Sequence, residues 1–279
     1  MKILDTLKDR FRRGPLVAVL RLEGVIAPRP RRGVISLASH AAAIERAFSF
    51  RHLAAVALVI NSPGGSPVQS ALIYRRIRQL AEEKSVPVFA FAEDVAASGG
   101  YWLLLAGDEV YGEEASILGS IGVISAGFGF AGLINRFGVE RRVHTAGEKK
   151  SLLDPFLPED PADVERLTTL QQNIHAVFKE HVARRRAGKF DAADESLFSG
   201  DVLTGRMALS RGLIDGIGEV RGVMRARFGE DVRLRPIAAE RRRRLWWPRL
   251  PSVTRPSFEP VADLLDWAEA RLIWARFGL

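Results

Sequence analysis

Two apolar runs, Leu53 to Ile60 and Val86 to Ala92, each lead into a glycine-rich turn, and this pairing constrains the fold more than any other feature. An apolar run of strand length fits a strand buried on both faces, the setting of a parallel sheet covered by helices. The first run ends in Asn61-Ser62-Pro63-Gly64-Gly65. Beyond it, Leu72, Ile73, Ile77 and Leu80 fall on one side of a helical repeat and Arg75, Arg76 and Arg78 on the other. The second run ends just before Asp94-Val95-Ala96-Ala97-Ser98-Gly99-Gly100-Tyr101-Trp102. Strand, glycine turn and helix in alternation predict an α/β architecture with right-handed crossovers. Sites in such sheets lie beyond the carboxyl ends of the strands, so both glycine turns are expected to face one crevice.

The remaining pattern supplies further strands at Leu16–Leu22, Asp108–Tyr111, Ile121–Ser125 and Val139–Thr145. Helices are predicted at Leu37–Phe48, at Ala162–Ala187 and at Thr204–Arg211, the last closed by Gly212. After about residue 230 the pattern loosens through several prolines, and Pro260–Phe277 reads as an amphipathic terminal helix. The expected organisation is a basic N-terminal arm (1–14), one α/β domain (15–228) and a basic, Trp-containing C-terminal extension (229–279).

With 279 residues, 47% hydrophobic and 27% charged, the composition is that of a globular protein. The absence of cysteine excludes disulfides, thiolate catalysis and cysteine-based zinc sites. The net charge of +8 is concentrated at the ends: Lys8, Arg10, Arg12 and Arg13, then Arg241 to Arg244. The second cluster runs into Leu245-Trp246-Trp247, a combination suited to an anionic membrane face, although a solvated charged tail has the same composition. No nucleic-acid partner and no cofactor or metal is expected. Met1 to Arg13 has no long apolar segment, so a cytoplasmic location is expected, with peripheral attachment to the inner membrane face left open. The uncharged stretch Ala115–Asn135 is long enough to span a bilayer but contains five glycines, and is read as buried strand and loop.

Ser98 sits where a strand gives way to a helix, with glycines beside it. That is a reachable hydroxyl with backbone N–H groups nearby, as a serine nucleophile requires, and it is also a common turn composition. A serine needs a base. None of the five histidines falls in a glycine-rich turn, His144 being the best placed, so a Ser-His-Asp triad is not evident. Gly147-Glu148-Lys149-Lys150-Ser151 offers a lysine instead. A lysine serves as base only when neutral, which apolar burial can bring about, whereas a lysine pair in a loop is ordinarily solvated. Spacing leaves both readings open.

Asn61-Ser62-Pro63-Gly64-Gly65, Ala97-Ser98-Gly99-Gly100-Tyr101, Gly119-Ser120-Ile121-Gly122-Val123 and Gly147-Glu148-Lys149-Lys150-Ser151 occur in the order seen in the signal peptide peptidase A (SppA)/SohB-type serine peptidases, and the chain resembles that family over roughly 15–225. The segment with Thr204-Gly205, Ala208 and Gly212-Leu213-Ile214-Asp215 also looks like the family's C-terminal part. The resemblance implies a Clp-protease/crotonase-like fold of repeated β-β-α units. It implies Ser98 as nucleophile, Lys150 as general base with Lys149 as the alternative, Ser120 orienting the lysine, and backbone N–H groups of Gly65 and Gly99 as oxyanion hole. The activity implied is hydrolysis of hydrophobic peptides, such as cleaved signal peptides, by an acyl-enzyme route. The expected partners are such peptides and further copies of the chain, in a ring whose serine and lysine come either from one subunit or from neighbouring ones. Other classes open to the sequence are a crotonase-type acyl-CoA enzyme and a non-catalytic membrane-associated scaffold.

Overall fold

Parallel strands form where the apolar runs predicted them, and they assemble one sheet. The computed structural model describes residues 14–29, 33–147, 149–191, 193–238, 268 and 271–278. Strands β1 (Leu16–Glu23), β4 (Leu53–Ser62), β5 (Val88–Ala97), β6 (Glu109–Gly112), β9 (Gly216–Ile217) and β10 (Arg233–Ile237) pair in the order β10-β1-β4-β5-β6-β9, every pair parallel. β7 (Ile117–Gly119) pairs parallel with the end of β5, and β8 (Val202–Thr204) runs antiparallel to β7. A separate ribbon joins β2 (Val25–Ile26) to β3 (Val34–Ile35). This is the mixed α/β fold expected from the resemblance.

Both faces of the sheet are covered, as the continuous apolar runs require. On one face Ala18, Leu20, Leu22, Val56, Leu58, Ile60, Val88 and Ala90 meet α1 (Leu37–Ala47), α2 (Pro67–Lys84) and α3 (Gly99–Leu104) through Ile44, Ile73, Ile77 and Leu103. On the other, Val17, Ala55, Ala57, Phe89 and Phe91 meet α7 (Val220–Phe228), which buries Met224. Each Val, Leu, Ile, Phe or Met side chain among them contributes about 1.5–3 kcal/mol when taken out of water, and each alanine methyl less. Local chemistry fixes the helix starts. Ser36 forms a capping box with Ser39 at α1, and Ser66 caps α2 with Pro67 in its first turn. Asp160 caps the long α5 (Pro161–Arg185), again with a proline behind it. The shorter helices are α4 (Ala131–Arg136) and α6 (Gly205–Ser210).

The structure departs from the expected elements in four places. β5 does not stop near Ala92 but continues to Ala97, because its last residues find a new partner in β7. The strands expected at Ile121–Ser125 and Val139–Thr145 are absent: the residues are irregular, and Ile124, Val139 and Val143 are exposed with no sheet neighbour to take their backbone groups. The stretch 115–135 is therefore not buried throughout; Phe128 is 78% exposed. Finally, α7 and β10 form where no element was anticipated, and β10 lies beyond residue 228 as the outer strand beside β1. The N-terminal arm, Arg241 to Trp247 and most of the expected helix at 260–277 lie outside the described residues.

Candidate active site

Ser98 caps α3 at the junction with β5, half-buried, with φ 52° and ψ −120°. A non-glycine residue with positive φ is uncommon and is held only by its surroundings. Here the Ser98 N–H donates to Gly119 O at 2.8 Å, and its carbonyl accepts from Trp102 N at 3.0 Å. Its hydroxyl makes no hydrogen bond among the described residues and no side-chain cap. The backbone is thus fixed while the oxygen is left free.

The helix behind the serine is short but clamped. Tyr101 Oη donates to Leu213 O at 2.8 Å, and burial pushes its phenol well above its usual range. Trp102 stacks on Phe178 and on His181 of α5, with centroids 5.0 and 4.5 Å apart. At its C-terminal end Arg185 donates to Leu105 O at 2.9 Å and to Gly107 O at 2.8 Å, a cation where a helix leaves carbonyls unpaired. Arg186, 2% exposed, reaches Gly212 O and the Asp215 carboxylate, which also accepts from Lys189 and Val110 N. Burial pushes the Asp215 carboxyl up, but Arg186 and Lys189 outweigh it and hold it below its usual range. The segment Gly212-Leu213-Ile214-Asp215 is thereby a structural clasp.

Gly64 and Gly65 lie directly against Ser98. A Cβ on Gly64 would stand 2.8 Å from Ser98 Cβ and 2.9 Å from Gly99 N; one on Gly99 would stand 3.4 Å from Gly65 N and 2.6 Å from Ser70 Oγ. Gly64 O accepts from Ile26 N, and Ile26 O from Ser66 N, both at 2.8 Å, so β2 ties down the turn. The N–H of Gly65 and that of Gly99, the first residue of α3, have no acceptor among the described residues. Two free donors beside a serine oxygen can stabilise an oxyanion.

Ser120 is close to this assembly. Ala97 pairs with Gly119, so Ser98 and Ser120 end adjacent parallel strands, and both have positive φ. Ser120 N donates to Asp201 O at 2.7 Å. The lysines are placed differently. Lys149 and Lys150 are exposed, and no hydrogen bond joins either to Ser98 or Ser120 among the described residues. Lys149 lines a cavity of about 840 Å³ with Phe128, Phe130, Asp154 and Asp163, which Ser98, Ser120, Gly65 and Gly99 do not line. Within a single chain, then, the structure brings together Ser98, Ser120, Gly65 and Gly99 but not the lysines. His144 is exposed, and His40 and His181 are buried in packing. His175 holds Ile121 O at 3.0 Å, a contact to the Ser120 turn that its place on a helix did not reveal. No group of three metal-ligating side chains occurs among the described residues.

A family model described as Peptidase family S49 matches residues 80–231. The chain belongs to this family. Relatives named SppA and SohB bear out the resemblance seen in the motifs. The S49 chain is 38% identical over 160 residues to the chloroplastic serine protease SPPA of Arabidopsis thaliana, covering 57% of this chain and 23% of that one. It is 50% identical over 274 residues to a protein of Brucella abortus named Na(+)/H(+) antiporter NhaA, covering 94% of this chain and 37% of that one. It thus spans well under half the length of these relatives. Among solved structures, a mutant of the 1510-N membrane-bound stomatin-specific protease superposes with a TM-score of 0.50 at 16% identity, covering 81% of this chain and 98% of that one. That likeness supports the fold.

Proposed function

We propose that this S49 chain is a serine endopeptidase that cleaves hydrophobic peptides, such as signal peptides or membrane-protein fragments, through an acyl-enzyme. The observation that carries the reading is Ser98, held at positive φ, with a hydroxyl that has no hydrogen-bond partner among the described residues and lies beside the N–H groups of Gly65 and Gly99, which have none there either. In this mechanism neutral Lys150, with Lys149 as the alternative, takes the Ser98 proton as the oxygen attacks a peptide carbonyl. Gly65 and Gly99 hold the resulting oxyanion, each donor worth about 10²–10³ in rate. The lysine then protonates the leaving amine, and water releases the acyl group. Ser120, on the adjoining strand end, orients the lysine.

The lysine comes from a neighbouring copy in a ring. Two observations support this: both lysines are exposed, and the segment that carries them displays Ile124, Phe128, Leu133 and Val139 to solvent. A second copy laid on that segment supplies the apolar burial that a lysine base needs. Contact with an anionic membrane through Arg241–Arg244 and Trp246-Trp247 is proposed from the sequence, those residues lying outside the described ones. The antiporter name stays with the Brucella protein. This chain covers 37% of it, and no helix among the described residues is long and apolar enough to cross a membrane.

The test is active-site labelling by a fluorophosphonate, followed by peptide mapping. Modification of Ser98, with loss of peptide hydrolysis in Ser98→Ala and in Lys150→Ala, is expected. Hydrolysis that persists in Ser98→Ala refutes the reading, and coenzyme A ester binding without hydrolysis points to an acyl-CoA enzyme.

A further inference from the structure

The strand that delivers Ser98 carries an irregularity that one side chain closes. Ile60 of β4 pairs with Ala92 of β5, but Ser62 pairs with Ala96. Two steps along β4 thus match four along β5, and the excess falls at Glu93-Asp94. Bulges of this kind bend a strand and redirect the side chains beyond the bend, and they concentrate next to active sites. Here the residues after the excess, Val95–Ala97, take up β7 as partner, and Ser98 N then bonds to Gly119 O.

Asn61 lies opposite the excess, 8% exposed. Its Nδ2 donates to Asp94 Oδ2 at 2.8 Å, and its Oδ1 accepts from the buried Val95 N–H at 3.2 Å. Its main-chain carbonyl accepts from Gly24 N at 3.0 Å, tying the clamp to β1. The arrangement needs one donor and one acceptor on a short side chain, which a carboxamide provides. Aspartate would set two carboxylates together, and leucine would leave the Val95 N–H buried without a partner. The same residue opens the Asn61–Gly65 turn, so it joins the oxyanion turn to the strand that carries the serine.

We propose that Asn61 is a positioning residue for catalysis: paired with Asp94, it clamps the two-residue excess of β5 and thereby sets Ser98 Oγ against the Gly65 and Gly99 donors. This rests on the reading of Ser98 as nucleophile. The carboxamide touches neither substrate nor the reacting atoms; it acts through the Val95–Ser98 backbone.

The experiment compares second-order rate constants for fluorophosphonate labelling of Ser98, and kcat and KM for a peptide, in the full chain and in Asn61→Asp, Asp94→Asn and the exchanged pair Asn61→Asp/Asp94→Asn. Thermal unfolding is recorded for each. In Asn61→Asp, labelling is expected to slow about 10- to 100-fold, as a misplacement near 1 Å does, with kcat falling and KM little changed. The exchanged pair keeps an acceptor for Val95 N–H and one donor–acceptor contact with position 94, so it is expected to recover to within about threefold of Asp94→Asn. Asn61→Asp labelling within about twofold of the unmodified chain overturns the proposal. So does an exchanged pair that labels no faster than Asn61→Asp, or that does not fold. If Asn61→Asp itself does not fold, the exchanged pair decides alone. An unmodified chain that is not labelled at Ser98 refutes the nucleophile assignment instead, before any variant is compared.

Discussion

At the scale of single residues, backbone space decides more than side-chain identity. Gly64 has φ 101°, and a Cβ there would meet Ala97 O and Ser98 Cβ, each at 2.8 Å. Gly64→Ala is therefore expected to lower fluorophosphonate labelling of Ser98 by about 10²-fold or more, since the serine must move to admit the methyl group. The same labelling measurement in Gly229→Ala, where φ is also positive but nothing lies within 4 Å of the added carbon, should be unchanged by contrast. His181 gives a second residue-scale expectation. It is 3% exposed, stacks on Trp102 and meets Tyr74 edge-on. Burial above all, with Arg184 and Arg185 adding repulsion, pushes its imidazolium down to about 4. Between about 6.5 and that value the unfolded chain binds the proton and the folded chain does not. Stability from this site is thus full above about pH 6.5 and is lost as pH falls, by roughly 3 kcal/mol in total. Urea unfolding across this range should show the slope, and His181→Phe should flatten it.

At the scale of elements, the six-residue α3 is too short to hold itself, and α5 holds it. Arg186 and Asp215 form the inner part of that attachment. Removing the guanidinium alone leaves a half-buried carboxylate short of its main partner, so Arg186→Ala is expected to cost about 3–5 kcal/mol in denaturant unfolding. The pair Arg186→Met/Asp215→Asn should cost less, because no lone charge remains. If the single and double variants lose the same stability, the ion pair is not what anchors α5. β5 shows the complementary point: its first part is an ordinary buried strand, and its last part belongs to β7 after the excess at Glu93-Asp94.

At the scale of the whole molecule, several exposed apolar side chains among the described residues lie close in sequence to the lysines. Phe128, Leu133, Phe137 and Val139 are all exposed and lie on the stretch that leads to Lys149 and Lys150. The ring proposed above would take such side chains out of water. If each site joins Ser98 of one copy to Lys150 of the next, then two inactive proteins, Ser98→Ala and Lys150→Ala, should regain about a quarter of full activity when mixed as equal subunits and reassembled. Activity should also fall on dilution. Mixtures that stay inactive, while sedimenting as mixed assemblies, would place serine and lysine in the same copy.

The sequence by itself determined the parts whose signal is local. Continuous apolar runs specify strands buried on both faces, helical spacing specifies α1, α2 and α5, and the glycine turns identify Ser98, Gly64 and Gly65 as a group. The motif order carried the family, which the match over residues 80–231 bears out. What the sequence left undecided depends on neighbours distant along the chain. Ile121–Ser125 and Val139–Thr145 have strand composition yet remain irregular, because a strand needs a partner edge and the fold offers none there. β10, with arginines and a proline, has little strand signal, yet it forms because β1 presents an open edge to it. Asn61 is visible in the sequence as one letter of a turn motif; only the register of β4 against β5 reveals what its side chain holds. Local composition fixes which residues want burial, and pairing in three dimensions decides which of them obtain it.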